Sequence, residues 1–441
     1  MAARGLFSSR LGFVLAAAGS AVGLGNIWGF PTKVAENGGA AFVAMYLCMA
    51  FLLAYPVLMA ELIIGRAKRA NMIDALRSIS GNNIGAAVGS VGAVTVILIL
   101  AFYSIVAGWM ISHLIDSVFS IAAFESPWLT DSSISRNIIF MAIFLVFTCF
   151  VVIGGVSNGI ERWSVRLMPT LLVLIIALIV YVSTQSGAMD GWRAFLIPDI
   201  QRALEPGLLI DAMGQAFFSM SLGVGTMLVY GSYVQKNENL PKLGASVALV
   251  DIGVAILAGM LIIPAMYVAL HNGVEIFSEG KLIEGPTLIF QVLPSLFDTM
   301  GYVGTLIGTA FFALMVIAAL TSSISMLEVP VAFLVDNKGM HRRKATILLS
   351  TFVFVLSTII VLNFDALFGL VISLTTEYSQ PLLGLVLCIF AGWIWRRNEI
   401  LAELKQGNDQ VENTLFWKIW PWYVKFVCPV VIAAMFYRSV L

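Results

Sequence analysis

Glycines and an asparagine interrupt the first apolar stretch of the chain, which reads GSAVGLGN at residues 19–26. Glycine in a helix interior costs about 1 kcal/mol relative to alanine, and in lipid each unsatisfied backbone group adds a further cost. A break here would free amides and carbonyls, and Asn26 adds a neutral side-chain oxygen. Helix N-termini stabilise a carboxylate, whereas freed carbonyl oxygens suit a hard cation.

A second interruption lies in a later apolar stretch, which reads FFSMSLGVG at residues 217–225. The string VGLG at 22–25 is echoed there by LGVG at 222–225. Glycine-interrupted helices at corresponding places in two inverted halves indicate a transporter's binding site. Gly19 and Gly23 also have the spacing of a helix-packing motif, so close packing is the alternative explanation of the first break taken alone.

Three polar side chains lie inside apolar runs. Asp251 is in the seventh run, where a carboxylate is costly and indicates a functional site with a partner. Tyr103 lies amid apolar residues, which favours a polar role for its hydroxyl over simple packing. Glu61 lies near one end of the second run and is interpreted as the partner of a nearby basic group.

The composition excludes most soluble classes. The 441 residues are 60% hydrophobic, only 11% are charged, and the net charge is zero. A soluble protein carries roughly 25% charged residues, so the chain is expected to be an integral membrane protein. A net charge of zero gives no indication of a nucleic-acid partner. The four cysteines lie in apolar runs and the three histidines have no metal-ligand spacing. No catalytic triad or phosphate loop is apparent, so we do not expect an enzyme.

Eleven apolar segments are long enough to cross a bilayer, which needs about 20 residues. We expect a single membrane domain over residues 1–441. A shorter apolar piece at 286–297 predicts a re-entrant or surface helix. The predicted spans are 11–33, 38–66, 84–119, 137–153, 160–184, 210–234, 242–272, 302–336, 342–362, 366–395 and 417–438.

The loop charges predict the orientation. With the N-terminus inside, 19 of the 25 lysines and arginines fall on the cytoplasmic side. Cytoplasmic loops carry the excess of positive charge, so this topology is favoured. An odd number of spans puts the C-terminus outside, in a plasma (inner) membrane. The basic start and short apolar core also fit a signal peptide, but the apolar character continues past Ala18.

Several strings, in this order, resemble the neurotransmitter:sodium symporter family, most closely its eleven-helix bacterial amino acid transporters. They are SRLGFVLAAAGSAVGLGNIWGFP at 9–31, ENGGAAF at 36–42, GIERW at 159–163, MPT at 168–170, GQAFFSMSLGVG at 214–225 and LTSSIS at 320–325. The resemblance implies an all-α, LeuT-like fold of five plus five helices with broken helices 1 and 6. The inverted repeats would cover about 9–184 and 210–395, with an extra helix at about 417–438.

The resemblance also implies a function. It is the sodium-coupled import of a neutral, hydrophobic amino acid by alternating access, with two sodium ions and no chloride requirement. The partners would be the amino acid and the lipid bilayer, and the oligomeric state stays open. A proton-coupled or sodium-independent permease and an amino-acid-binding receptor remain alternatives.

Two sodium sites follow from the resemblance. The first would combine the Ala21 carbonyl, side chains of Asn26, Ser219 and Asp251, and the substrate carboxylate. The second would combine three carbonyls with two hydroxyls. Its members are Gly19, Val22, Ala318, Thr321 and Ser322.

The implied substrate pocket has a polar end and an apolar end. The substrate carboxylate would meet the Leu24 and Gly25 amides and the Tyr103 hydroxyl. The other lining residues would be Gly23, Ile99, Phe218, Ser221, Val224, Ser322 and Met326. The inner gate would pair Arg4 with Asp336, beside Phe7 and Tyr233.

The sequence departs from the family pattern in three places that bear on function. Gly29 stands where an arginine usually closes an outer gate onto an acid, although Asp365 keeps the acid's place. Val224 replaces a pocket phenylalanine. Asp251 replaces an asparagine, and Ala255 one turn later lacks the hydroxyl that binds chloride in relatives, which predicts chloride independence.

Overall fold

Long apolar helices make up most of the chain in the computed structural model, which describes residues 5–124, 126–198, 206–278, 281–282 and 285–440. Within these ranges nine helices are long and apolar enough to cross a membrane, and a bent pair adds a tenth span. The predicted sixth span is a pair of shorter helices. The nine are Ala40–Lys68, Asn83–Ile121, Ile134–Ile153, Val156–Ser183, Leu240–His271, Gly301–Lys338, Arg342–Leu362, Phe364–Ile394 and Leu415–Tyr437.

The first span is broken as predicted. Its halves, Arg10–Ala21 and Gly25–Glu36, meet at an angle of 57°. Ser9 is the N-cap of the first half, and its hydroxyl accepts from the Gly12 amide at 2.9 Å. At the break, Val22 has extended dihedrals of φ −67° and ψ 106°. The carbonyls of the last turn therefore lose their helical partners and become available to other groups.

The sixth span is broken more widely. Its helices, Pro206–Ser219 and Thr226–Gly231, are separated by a segment in which Ser221, Gly223 and Gly225 all have positive φ. Glycine adopts this region without the steric cost that other residues meet. Ser221 is the exception, at φ 51°.

Glu61 accepts hydrogen bonds from backbone amides at the break of the sixth span. Our interpretation of Glu61 as the partner of a basic group is therefore wrong. Its side chain is fully buried and its two oxygens accept from the amides of Gly223 at 2.7 Å and Leu228 at 3.1 Å. An ionised acceptor makes stronger hydrogen bonds than a neutral one. The carboxylate therefore takes the place of the missing helical carbonyls.

Shorter elements connect the spans. The apolar piece predicted at 286–297 is the helix Leu288–Thr299, which does not span and packs against Gly301–Lys338. Two antiparallel strands precede it, with Phe277 paired to Leu282. The remaining helices are Met72–Ser80, Ala188–Leu196 and Arg397–Lys405, with 3-10 turns at Pro127–Leu129 and Val411–Asn413.

The broken spans lie in the interior of the bundle. The first half of the first span, Arg10–Ala21, packs against the fifth, seventh and eighth spans, and most of its residues are buried. Large apolar side chains of the outer helices, such as Phe147 and Phe150, are exposed, as expected for a lipid-facing surface. The predicted relation of the two helix sets as inverted repeats stays a prediction.

Replacing Gly223 tests the break in the sixth span. An added Cβ would lie 2.4 Å from the Gln380 carbonyl oxygen, at a residue with φ 89°. We expect Gly223→Ala to destabilise by about 2–4 kcal/mol, combining left-handed strain with overpacking. Gly214→Ala is the matched control in the same span, because nothing lies within 4 Å of its added Cβ. Thermal unfolding in detergent should show a lower midpoint for Gly223→Ala alone, and equal midpoints would contradict this account.

Candidate functional site

One closed cavity lies between the two breaks and is completed by the third, eighth and tenth spans. The structure brings all ten predicted pocket residues to its wall. They are Gly23, Leu24, Gly25, Ile99, Tyr103, Phe218, Ser221, Val224, Ser322 and Met326. Ala21, Val96, Phe102 and Gln380 also line it. We call this space the central cavity.

The polar end of the central cavity is built around Tyr103. Its hydroxyl is buried and lies beside the Ser322 side chain and the Leu24 backbone. Gly23 keeps the space in front of the hydroxyl open, since an added Cβ would lie 2.9 Å from that oxygen and 2.5 Å from Ser322 Oγ. The second half of the first span begins here at Gly25, and first-turn amides of a helix have no partner within the helix. A hydroxyl donor beside a helix N-terminus suits a carboxylate.

The rest of the wall is mostly apolar. Ile99, Phe218, Val224 and Met326 contribute side chains that suit a hydrophobic ligand group. The cavity measures about 30 Å³, which is room for little more than a water molecule. Accepting an amino acid therefore requires the lining side chains to move apart, and Met326 is flexible enough to adapt.

The predicted first sodium site is a buried cluster of polar side chains. Asn26, Ser219 and Asp251 are all fully buried. Asn26 Nδ2 donates to Asp251 Oδ1 at 2.8 Å and to Ser219 Oγ at 2.9 Å. Ser219 in turn donates to Asp251 Oδ2 at 2.8 Å.

The donor set of this cluster fits a hard cation. Asn26 Oδ1 accepts from the Gly23 amide at 3.2 Å, so half a turn of the side-chain amide would present an oxygen beside the carboxylate. A carboxylate, an amide oxygen and a hydroxyl are ligands that such a cation prefers. Ala21, the remaining predicted ligand, borders the adjoining central cavity.

The predicted second sodium site joins the break of the first span to the eighth span. Ser322 Oγ donates to the Val22 carbonyl at 2.9 Å and is 3.3 Å from the Gly19 carbonyl. Thr321 donates to the Ala318 carbonyl at 3.0 Å. An added Cβ at Gly19 would lie 3.2 Å from the Thr321 Cβ, so the two groups adjoin. Five oxygens thus meet in one region.

At the inner face, meaning the face that carries Ser9, Phe7 is buried against Phe13, Tyr230 and Tyr233. The Phe7 amide also donates to the Tyr233 carbonyl at 3.1 Å. Of the predicted gate pair, Arg4 lies outside the described residues. Asp336 accepts from Asn71 at 3.4 Å.

A second polar contact at the inner face escaped the sequence analysis. Glu328 is fully buried and accepts from Tyr233 Oη at 2.6 Å and from both terminal nitrogens of Arg342. The sequence did contain an indication of this contact, because Glu328 is an acid inside the eighth apolar segment, where an ionisable side chain indicates a site with a partner. Tyr233, predicted as a gate residue, thus bonds to an acid that the prediction did not include.

The start of the first span is also tied to the fifth span. Glu161 accepts from the backbone amides of Ser8 at 2.7 Å and Ser9 at 3.1 Å, and from both hydroxyls. Together with the contacts of Phe7 and Glu328, these bonds close the inner face beneath the central cavity. We call these three contacts the inner latch.

The opposite face holds a wider opening. A cavity of about 640 Å³ is bordered by Trp109, Arg136 and Asp365, and Asp365 is exposed at its rim. Gly29 does not border this outer cavity. It lies beside Gln215, which donates to the Gly25 carbonyl at 2.7 Å. The outer ion pair of the family pattern is therefore absent at position 29.

Comparisons with known proteins agree on one family. A model of the sodium:neurotransmitter symporter family matches residues 4–138 and 132–441. An uncharacterized sodium-dependent transporter, YhdH, of Bacillus subtilis (strain 168) is 33% identical over 98% of this chain and 96% of its own length. An uncharacterized sodium-dependent transporter of Haemophilus influenzae is 32% identical over 98% of this chain and 97% of its own length.

A solved structure extends the agreement to the fold. The crystal structure of MhsT in complex with L-phenylalanine matches with a TM-score of 0.86 at 34% identity, covering 99% of this chain and 100% of that one. The predicted LeuT-like all-α membrane fold is confirmed, as is the prediction of a transporter in place of an enzyme. The chain belongs to the sodium:neurotransmitter symporter family.

Proposed function

We propose that the protein is a symporter that uses two sodium ions to import a neutral, hydrophobic amino acid by alternating access. The observation that carries this proposal is the buried oxygen cluster of Asn26, Ser219 and Asp251 next to the cavity that Tyr103 borders. The proposal is supported by relatives named sodium-dependent transporters and by a structural neighbour solved with L-phenylalanine.

Coupling between ion and substrate follows from their shared position. A substrate carboxylate held by the Leu24 and Gly25 amides and by Tyr103 would lie beside the cation at the first site and complete its ligands. Each would then raise the affinity for the other. Two charges moving through 100 mV supply about 4.6 kcal/mol, which supports a concentration ratio above about a thousandfold.

The substrate class follows from position 23. Amine-transporting relatives carry an aspartate there that holds the ammonium, whereas Gly23 offers no charge. An α-amino acid brings its own carboxylate, which can neutralise the bound cation. We therefore expect no transport of amines that lack a carboxylate.

Alternation would require the inner latch to open. The contacts of Phe7, Glu161 and Glu328 close the face that the loop charges assign to the cytoplasm, while the cavity near Asp365 opens on the other face. If these contacts broke while the outer cavity closed, the central cavity would open to the cytoplasmic face.

The experiment that tests the proposal is a thermal-shift screen of all twenty amino acids on the purified protein, in sodium and in choline. A ligand that binds the folded state raises its unfolding temperature. We expect shifts for neutral hydrophobic amino acids in sodium only. Equal shifts in choline would favour the sodium-independent permease, and no counterflow in proteoliposomes despite binding would favour the receptor.

Pocket size provides one prediction. Val224 leaves space that a phenylalanine would fill, so Val224→Phe should weaken large substrates more than small ones. We expect the dissociation constant of tryptophan to rise at least tenfold while that of alanine changes less than threefold, as measured by equilibrium binding in sodium. An equal effect on both amino acids would contradict the assignment of Val224 to the substrate side chain.

The outer gate provides another prediction. Because Gly29 stands in the arginine's place, Asp365 has lost its family partner. Asp365→Asn should therefore reduce uptake by less than tenfold in proteoliposomes. Complete loss of uptake would mean that a different cation, such as Lys33 or the substrate ammonium, pairs with Asp365.

Chloride independence is a further prediction. Tyr46 Oη lies 3.2 Å from Ser219 Oγ, and Gln215 lies one turn before Ser219 on the same helix, but the buried Ala255 offers no donor to an anion. Asp251 already brings a fixed negative charge, and a second anion there would be repelled at low dielectric. Uptake in gluconate medium should therefore equal uptake in chloride.

The double variant Asp251→Asn with Ala255→Ser is the matched comparison, since it removes the carboxylate and restores the hydroxyl. It should gain dependence on chloride if it remains active. Wild-type uptake that collapses in gluconate would refute the role of Asp251 as countercharge.

A further inference from the structure

Gln380 of the tenth span borders the central cavity, although no motif of the sequence pointed to this residue. The residue is only 3% exposed. Among the described residues, none forms a hydrogen bond with its side-chain amide. An amide at a cavity wall that has no protein partner is free to pair with a polar group of a ligand, and such a pairing would be favoured.

The position of Gln380 is fixed by close backbone packing on the broken sixth span. An added Cβ at Gly223 would lie 2.4 Å from the Gln380 carbonyl oxygen and 3.0 Å from the Gly384 amide nitrogen. One turn along, Gly384 packs against the Phe217 ring, where an added Cβ would be 2.3 Å from the ring edge. The tenth span therefore lies directly on the segment that carries Val224.

Besides the polar end around Tyr103, the wall that Gln380 shares is mostly apolar. Val96, Ile99, Val224 and Met326 line the same cavity and offer no hydrogen bond. A neutral amide carries two donors and one acceptor, and it does not attract a charged side chain as a carboxylate or an ammonium would. This wall therefore suits a side chain with an apolar body and one neutral polar group at its tip.

We propose that Gln380 selects the substrate by hydrogen bonding to the polar tip of its aromatic side chain, an indole N–H or a phenol O–H. Tryptophan and tyrosine are the neutral amino acids that combine a large apolar body with such a tip. The proposal rests on the proposed amino acid transport and adds the substrate preference. Because Val224 is small, it would obstruct a ring in this cavity less than a phenylalanine at that position once the lining side chains move apart.

The test uses matched ligand pairs on the purified full-length protein in sodium, with dissociation constants measured by calorimetry. Tyrosine is compared with phenylalanine, and tryptophan with its benzothiophene analogue, in which sulfur replaces the N–H. A site built to hydrogen-bond a ligand group discriminates strongly against the analogue that lacks it. We expect wild type to favour the hydrogen-bonding member of at least one pair by about tenfold or more, and that pair identifies the tip.

Gln380→Met keeps the length of the side chain and removes its hydrogen bonds. We expect the favoured ratio to fall to within threefold of unity, while phenylalanine still binds in a sodium-dependent manner. Gln380→Leu repeats the test if the methionine variant does not fold. Thr376→Val is the matched control on the same span, because Thr376 bonds the Ile372 carbonyl and does not line the cavity. It should leave the ratio unchanged.

The outcomes separate this proposal from the proposed function. Two results would overturn the assignment of Gln380 alone, provided that phenylalanine still binds in a sodium-dependent manner. The first is a wild-type ratio near unity for both ligand pairs. The second is a ratio that Gln380→Met and Gln380→Leu leave unchanged. If no amino acid binds in sodium, the proposed function itself is overturned.

Discussion

Backbone groups freed inside a bilayer must find new partners, and both breaks depend on side chains that supply them. At the sixth span, Glu61 accepts from the amides of Gly223 and Leu228. At the first span, Ser322 donates to the Val22 carbonyl and lies 3.3 Å from the Gly19 carbonyl. Without such partners the chain would stay helical, because unsatisfied groups in lipid are costly. The breaks therefore persist, and the space between them becomes the central cavity.

Three buried acids are stabilised in three different ways, and the difference indicates their roles. Glu61 accepts backbone amides and holds a fixed conformation. Glu328 is paired with the Arg342 guanidinium, a contact that can separate when the inner face opens. Asp251 is held by the neutral groups of Asn26 and Ser219, so its charge is available to a cation. Buried charge is tolerated where a partner compensates it, and for Asp251 we expect that partner to be the cation of the proposed first sodium site.

The two breaks and the apolar spans could be predicted from the sequence, because glycines in an apolar run and acids in a span have few explanations. The residues of the central cavity came from the family resemblance, and their binding of substrate stays a prediction. It could not predict the partner of Glu61, since that depends on how the second span packs on the sixth. Glu328 carried the same signal as Asp251 but was overlooked, and its pairing with Arg342 depends on how the ninth span folds back on the eighth. Gln380 had no local signal, because its place at the cavity follows from the packing of the tenth span on Gly223.

The most direct test of the shared site is reciprocal linkage between ion and substrate. Phenylalanine affinity is measured at rising sodium concentrations, and sodium affinity at rising phenylalanine concentrations, on the purified protein. If both ligands meet at Asn26 and Asp251, each must raise the affinity for the other by the same factor. We predict a factor of at least tenfold in wild type and a clearly smaller one in Asp251→Asn. Phenylalanine affinity that is unchanged when choline replaces sodium would contradict the account.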